Sequence, residues 1–501
     1  MLFVMGKDGK MKENILQNGN SLYCDLYHFA MAQAAYEDGR HNDFQVSEAF
    51  FRKLPFGGGY LVAAGMGEFL EWADNWRVSA EDVDYLAEQR GTDGKPLFHK
   101  DFLTFIKGKK LEVSVAGVPE GEIVFPDEPV LSVSGPSWQV DLMEAAFLNI
   151  FNAQSLVATK AARLVGAAAS DGVNRPVLEF GLRRAQDIGG FMPARAAFIG
   201  GCAGTSNVAA GKYYDIPVKG TMAHSFVMRY EDETEAFKAF LRSSQNNATL
   251  LVDTYDTRQG IKNAIKASRE TGIALQGIRI DSGDLAYWYR EARSLLAAAG
   301  MPQVKTVASN DLDEYIVENM IMVQQAKYDI IAAGTKLVTA YDTPALGGVF
   351  KLKEINGRPK MKIAEGKTTI PGATNVLRTL HDGMYNGDVI VPAEDVFRGE
   401  VCLRQNLSSF RLRRKEDKPK IFVKGTEAYP LLKPMIVHGK VVADDIDYSL
   451  QKIRQSTLDN LQKLGVEYKR LVNPHQYGVG LEAGINSLQQ AMIEEYQAKA
   501  L

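Results

Sequence analysis

Between residues 177 and 336 one pattern recurs seven times: a short apolar run, a polar cluster rich in Gly, Ser, Thr and Asp, and, in most cases, a stretch with helical spacing. The apolar runs begin near Val177, Ala196, Val218, Thr249, Gly277, Lys305 and Asp329. The clusters that close them are Arg183-Arg184, Gly204-Thr205-Ser206, Thr221 with His224, Asp253 with Asp256, Asp281-Ser282-Gly283-Asp284, Ser309-Asn310-Asp311 and Gly334-Thr335-Lys336. Continuous apolar runs without alternation suit strands buried on both faces, as in parallel sheets. Ile261, Ala264 and Ile265 mark one intervening helix, Leu285, Trp288, Ala292 and Leu296 another, and Ile316, Met320 and Val323 a third. Such a series leaves two α/β architectures. A doubly wound sheet would divide the loops around one crevice. A barrel would gather every polar cluster on one face, where enzymes of that shape keep their chemistry. The barrel is the preferred reading.

The rest of the chain brackets this series. Before it, Tyr27, Phe29, Ala30 and Ala32 predict a helix starting near Asp25. Strand-like runs follow at Phe50-Phe51-Arg52, Leu111–Val115, Ile123–Phe125 and Leu131–Ser134, giving an α+β segment of antiparallel character. After it, Thr343–Lys353 and Met361–Ile363 return to strand-like alternation and are expected to rejoin the first segment. Tyr448–Leu464 and Ser487–Ala500 read as helices. The expected boundaries are an unstructured extension over 1–16, an α+β domain over 17–140, the α/β barrel over 141–342, and a return to the α+β domain with helices over 343–501. The basic run Arg411, Arg413, Arg414 and Lys415 reads as a solvated face.

Composition narrows the partners. A net charge of −3 over 501 residues offers no global field for nucleic acid or anionic membranes, so an anionic ligand must be held locally. Three widely spaced cysteines, Cys24, Cys202 and Cys402, give neither a disulfide framework nor a thiolate zinc site. The apolar start Leu2–Met5 is too short for a signal peptide and no apolar run reaches eighteen residues, so a cytoplasmic location is expected.

The chemistry concentrates between Val177 and Val227, where three Gly-rich turns carry Arg183, Arg184, Thr205, Ser206, Thr221 and His224. Strand, glycine-rich turn and helix start is how α/β proteins present N–H groups to an anion. His224 can be base, metal ligand or nucleophile, or simply a hydrogen-bonded turn residue. It lacks a second histidine at ligand spacing, which disfavours a metal site. A neutral nucleophilic imidazole wants its other nitrogen fixed, and Asp253, at the end of the next strand, is the expected orienting carboxylate. Arg279 and Asp281, two apart on a strand, point to the same side, either as a structural ion pair or as pocket walls. No GxxxxGK[ST] phosphate loop occurs.

EFGLRRAQ (179–186), GTSNVAAGK (204–212) and VKGTMAHS (218–225) resemble nicotinate phosphoribosyltransferases, as do DLYHFAMAQ, FFRKLPFGGGY, RIDSGDL, AAGTKLV and TTIPG, in the family's order from about Tyr23 to about Arg378. The resemblance implies an irregular seven-stranded barrel joined to an α+β sandwich, working as a homodimer with shared active sites. It implies transfer of a phosphoribosyl group from 5-phosphoribosyl 1-diphosphate to nicotinate, with ATP as co-substrate through a phosphorylated His224 and Mg2+ on the diphosphate. It places Phe180 on one face of the pyridine and Tyr27, from the partner subunit, on the other. Arg183 lies near the substrate acid and phosphates, and Arg279 and Asp281 line the pocket. Thr205, Ser206, Thr221 and Ser309 stand in the matching loops, Gly334 and Thr335 would hold the ribose 5-phosphate, and Thr369 would contact the phosphoribosyl donor. In the related nicotinamide enzymes an Asp replaces Ser206, so Ser206 argues for the acid. The alternatives are nicotinamide phosphoribosyl transfer and a non-catalytic binding protein on the same scaffold.

Overall fold

The computed structural model describes residues 4–5, 11–12, 21–244, 248–364, 367–393, 411–413, 419–421, 427–442 and 447–500. Two compact units can be separated: Leu156–Pro344 with Leu450–Leu458, and the remainder of the chain. The first twenty residues contribute the antiparallel pair Val4–Met5 and Met11–Lys12. The rest of the expected extension over 1–16 lies outside the described residues, as do Arg414 and Lys415.

The first unit is a mixed α/β fold built on a curled, parallel, six-stranded sheet. Its strands are β1 (Val177–Glu179), β2 (Gly204–Thr205), β3 (Thr249–Leu251), β4 (Gly277–Ile280), β5 (Lys305–Ala308) and β6 (Ile330–Ala333), in the order β3-β4-β5-β6-β1-β2. Every pairing is parallel, so all six strands end on the same edge. The helices Thr257–Thr271, Leu285–Ala298 and Glu314–Met322 follow β3, β4 and β5. Each starts on an aspartate in the loop before it. Asp256 accepts from the Gln259 amide, Asp284 from Ala286 and Tyr287, and Asp313 from Ile316. Such a cap satisfies amides that the helix itself cannot. The Thr257 helix buries Ile261, Ala264 and Ile265, each isoleucine contributing on the order of 2 kcal/mol. It crosses the end of β3 so closely that a Cβ on Gly260 would lie 1.9 Å from the Val252 carbonyl oxygen.

Two expected strands take other forms. Ala196–Ile199 is the last turn of a helix, Phe191–Ile199, and the strand of that repeat is Gly204–Thr205 instead. Residues Pro193 to Ile199 of this helix are all buried, so it lacks the polar stripe that distinguishes a helix from a buried strand over four residues. Pro217–Val218 supplies a single bridge, Val218 to Thr205, rather than a strand.

The second unit is antiparallel in its main sheet. Gly348–Ile355, Phe44–Phe51, Leu131–Pro136 and Ser114–Gly117 are neighbours there, with Phe350 opposite Ala49. Met361–Ile363, read from sequence as strand-like, is not a strand. A four-stranded sheet carries Glu427–Pro430, Thr374–His381, Met384–Pro392 and Val479–Leu481.

This unit buries charge. Arg378 and Asp388 are fully buried and paired at 2.7 Å, with Tyr477 donating to Asp388 at 3.0 Å. Glu128, also fully buried, accepts from the Phe125 amide at 2.9 Å. Burial, and then the charge of Asp388 to which it is hydrogen-bonded, hold the Glu128 carboxyl well above the usual range. The folded state therefore keeps a proton that the unfolded chain releases above about pH 4.3. That contribution is present at low pH and lost as pH rises towards the raised value, by about 1.4 kcal/mol per pH unit across the window. Glu128→Gln keeps an acceptor for Phe125 and a donor for Asp388 without the titrating proton. It is expected to melt above the wild type at alkaline pH, with the gap closing towards about pH 4. Melting curves of the two proteins that stay parallel across pH would show that Glu128 holds no such proton.

Candidate active site

The strand ends of the first unit converge on Arg279. From β4, its Nε donates to Ser309 Oγ just beyond β5 at 2.8 Å, and one terminal nitrogen donates to Thr221 Oγ1 at 3.1 Å. The other meets Asp281 Oδ1 at 3.1 Å. Ser309 in turn donates to the same Asp281 oxygen at 2.5 Å. The guanidinium carbon stands 5.5 Å from the centre of the Phe180 ring, which follows β1. Residues from four separate loops are thus tied to one cation, and the pair Arg279 and Asp281 shares a side of the strand as its alternation requires.

His224 opens the short helix His224–Val227. Its Nε2 faces Asp281 Oδ2 at 3.9 Å, and its Nδ1 lies 3.1 Å from Thr254 Oγ1. This corrects the expected role of Asp253. One oxygen of Asp253 accepts from the Asp281 amide at 2.8 Å and from Ser282 Oγ at 2.6 Å, and the other is buried without a hydrogen bond. Asp253 clamps the neighbouring loop; the next residue, Thr254, reaches the histidine.

Thr205 and Ser206 stand at the end of β2. Thr205 donates to the buried carboxylate of Glu179 at 2.5 Å, and the Ser206 amide donates to the Glu179 carbonyl at 2.9 Å. Glu179 also takes the Gly181 amide. Burial raises its carboxyl and these two hydrogen bonds pull it part of the way back. The helix beginning at Val208 is capped by Asn207, whose Oδ1 accepts from Ala210 at 3.1 Å, so Ser206 has no capping duty. Arg183 is exposed on the turn Leu182–Arg184 and makes no ion pair among the described residues. Gly334 and Thr335 start the turn of helix after β6, and a Cβ on Gly334 would lie 3.1 Å from the Phe180 carbonyl oxygen. Tyr27 and Thr369 belong to the second unit. Tyr27 is 48% exposed, its ring 4.0 Å from that of His28. Thr369 is buried, its hydroxyl accepting from the Lys362 amide at 3.0 Å.

Three family models match the chain in succession: the nicotinate phosphoribosyltransferase N-terminal domain over residues 22–152, the nicotinate phosphoribosyltransferase family over 176–382, and its C-terminal domain over 373–489. A nicotinate phosphoribosyltransferase of Bacillus subtilis is 38% identical over 491 residues, 96% of either chain. The chain belongs to the nicotinate phosphoribosyltransferase family. Nicotinate phosphoribosyltransferase 2 of Arabidopsis thaliana is 32% identical over 524 residues, covering 92% of this chain and 91% of that one. The crystal structure of human nicotinic acid phosphoribosyltransferase superposes with a TM-score of 0.79 at 28% identity, over 93% of this chain and 99% of that one.

Against that family background, sequence reasoning missed two residues of the cluster. Glu179 stands inside the quoted EFGLRRAQ, and a carboxylate ending an apolar strand was itself the signal. Thr254 gave no signal, since its hydroxyl matters only once the neighbouring loop brings His224 to it.

Among the described residues no group of three or more His, Cys, Asp or Glu side chains is arranged to hold a metal ion. No helix among them is long and apolar enough to cross a membrane.

Proposed function

We propose that the chain transfers a phosphoribosyl group from 5-phosphoribosyl 1-diphosphate to nicotinate, forming nicotinate mononucleotide and diphosphate for NAD biosynthesis. The observation that carries this reading is Arg279, fixed by Thr221, Ser309 and Asp281 beside the Phe180 ring. A flat aromatic wall next to a preorganised guanidinium suits a planar aromatic acid. Loss of diphosphate leaves an oxocarbenium-like ribose, so the chemistry asks for positioning and charge stabilisation rather than a strong nucleophile. Arg183, Gly334 and Thr335 are assigned to the phosphates and the acid, Ser206 and Thr205 to the base pocket, and Thr369 to the donor.

Mg2+ fits as a companion of the diphosphate. It commonly rests on one or two carboxylates plus substrate phosphates, and Asp281 offers an oxygen, Oδ2, on which no hydrogen bond falls among the described residues. When bound it would neutralise the leaving diphosphate. ATP is read as a co-substrate that phosphorylates His224. The parallel sheet is read as an irregular seven-stranded barrel, with the Val218 bridge as a reduced seventh strand, and the antiparallel sheets as a sandwich.

We read the assembly as a homodimer with shared sites. Leu26, Tyr27 and Met31 are exposed together on the Leu26–Glu37 helix, an apolar face that a second copy would cover; sedimentation at working concentration tests it. Cys24 and Cys202 are both free thiols, as a reducing cytoplasm would keep them.

The deciding assay is diphosphate release from labelled donor with nicotinate or nicotinamide, with and without ATP. Release that prefers nicotinate and is accelerated by ATP is expected; absence of release with either base would overturn the assignment. His224→Ala is expected to abolish transfer of label from the γ-phosphate of ATP and all acceleration by ATP, leaving slow ATP-independent transfer. Label retained in that variant would move the phosphoryl group to another residue.

A further inference from the structure

The two ring nitrogens of His224 sit in different surroundings, and this bears on which of them attacks. Neutral imidazole carries one proton; the nitrogen without it holds the in-plane lone pair. A proton on Nε2 would point towards Asp281 Oδ2, but 3.9 Å is beyond hydrogen-bond distance. Arg279 and Ser309 are both bonded to the other oxygen of Asp281, Oδ1. A proton on Nδ1 has an acceptor at 3.1 Å, the hydroxyl of Thr254.

Thr254 is well placed to hold that geometry. The Val252 amide is bonded to the Arg279 carbonyl at 3.2 Å, and Asp253 is tied to the Asp281 amide and the Ser282 hydroxyl. The backbone leading into Thr254 is thus anchored on both preceding residues to the neighbouring strand end.

We infer that Thr254 is a positioning residue that keeps the His224 proton on Nδ1, leaving the Nε2 lone pair as the attacking atom. The inference rests on the proposed phosphorylation of His224 by ATP. In that step the Nε2 lone pair forms a bond to the γ-phosphorus while the bond from that phosphorus to the β,γ-bridging oxygen breaks. ADP leaves with the electron pair, and the proton stays on Nδ1, accepted by Thr254 Oγ1. If the phosphorylated ring later loses that proton, the same hydroxyl can turn and donate to Nδ1, because a threonine hydroxyl both gives and accepts. One residue therefore matches both states of the ring.

The test uses the full chain, ATP labelled at the γ position, and phosphorus NMR of the labelled protein. Wild type is expected to carry the phosphoryl group on Nε2. Thr254→Val, which keeps the shape and removes the hydroxyl, is expected to label about tenfold more slowly, the loss that goes with one hydrogen bond. Thr254→Ser is expected to label within about threefold of wild type, which a purely steric role for the side chain would not predict. Labelling of Thr254→Val at the wild-type rate overturns the inference, and so does phosphorus on Nδ1 in wild type or in Thr254→Ser, a readout that holds even if the valine variant fails to fold. Wild type that takes no label on His224 overturns the phosphorylation reading itself, whereas a labelled His224 indifferent to Thr254 overturns only the present inference.

Discussion

Arg279→Ala is expected to lower kcat/KM for phosphoribosyl transfer by about a thousandfold while leaving a folded protein. The side chain makes hydrogen bonds to Ser309, Thr221 and Asp281 and lies beside the Phe180 ring. Removing it releases all of these at once and leaves Asp281 without its cation. Hydrogen bonds to a charged group contribute about 1.5–3 kcal/mol each. Two such bonds to an anionic substrate amount to about 3–6 kcal/mol, and every 1.4 kcal/mol is about tenfold. Arg279→Lys should retain more activity but still lose about a hundredfold, because an ammonium is a point charge and cannot span three partners in a plane. Initial rates of diphosphate release, with thermal melting as the folding control, decide the matter. An alanine variant that keeps a tenth of wild-type kcat/KM would place Arg279 outside the reacting centre.

Ser206→Asp is expected to lose nicotinate as a substrate by at least about tenfold while its melting temperature stays near that of the wild type. Ser206 is half-buried, carries no charge, and is relieved of helix capping by Asn207. Its hydroxyl can donate to a carboxylate. A carboxylate introduced here would face that of nicotinate. Two like charges about 4 Å apart repel by about 4 kcal/mol at an effective dielectric near 20, and a third of that spans tenfold. An amide in place of the acid feels no such repulsion and can donate to the new aspartate, so the ratio of nicotinamide to nicotinate use should rise. Unchanged use of nicotinate by Ser206→Asp would remove Ser206 from the base pocket.

Much of this site could be read from residues alone because the parallel sheet is repetitive. Five of the seven apolar runs are strands at the expected places; one of them carries Arg279 and the polar clusters after them supply Asp281 and Ser309, while His224 follows the Val218 run, which forms only a bridge. Where reading failed, a local pattern had two solutions. Ala196–Ile199 is apolar on every side because the helix that contains it is buried on every side, and four such residues carry no period. The pairing of His224 failed for another reason. Asp253 and Thr254 are adjacent and both polar, and only the position of the Asp281 amide, 28 residues later, consumes the carboxylate and leaves the hydroxyl for the histidine. Long-range competition for a hydrogen bond leaves no trace in spacing. The roles proposed for Tyr27 and Thr369 rest on resemblance alone, since nothing in their own neighbourhoods distinguishes them from surface and core.

The aspartate caps at the starts of the three helices bear on how an anion could approach this face at all. Counted along the chain, the loops after β3, β4 and β5 hold Asp253, Asp256, Asp281, Asp284, Asp311 and Asp313, a distribution that would repel a diphosphate. Yet Asp256, Asp284 and Asp313 are each turned onto the amides of their own helix, and Asp313 is matched by Lys336 at 2.6 Å. Their charge is absorbed by the positive ends of helix dipoles. The field an incoming polyphosphate meets is therefore less negative than the count of six suggests, and an acidic-looking rim can still be an entrance for anions.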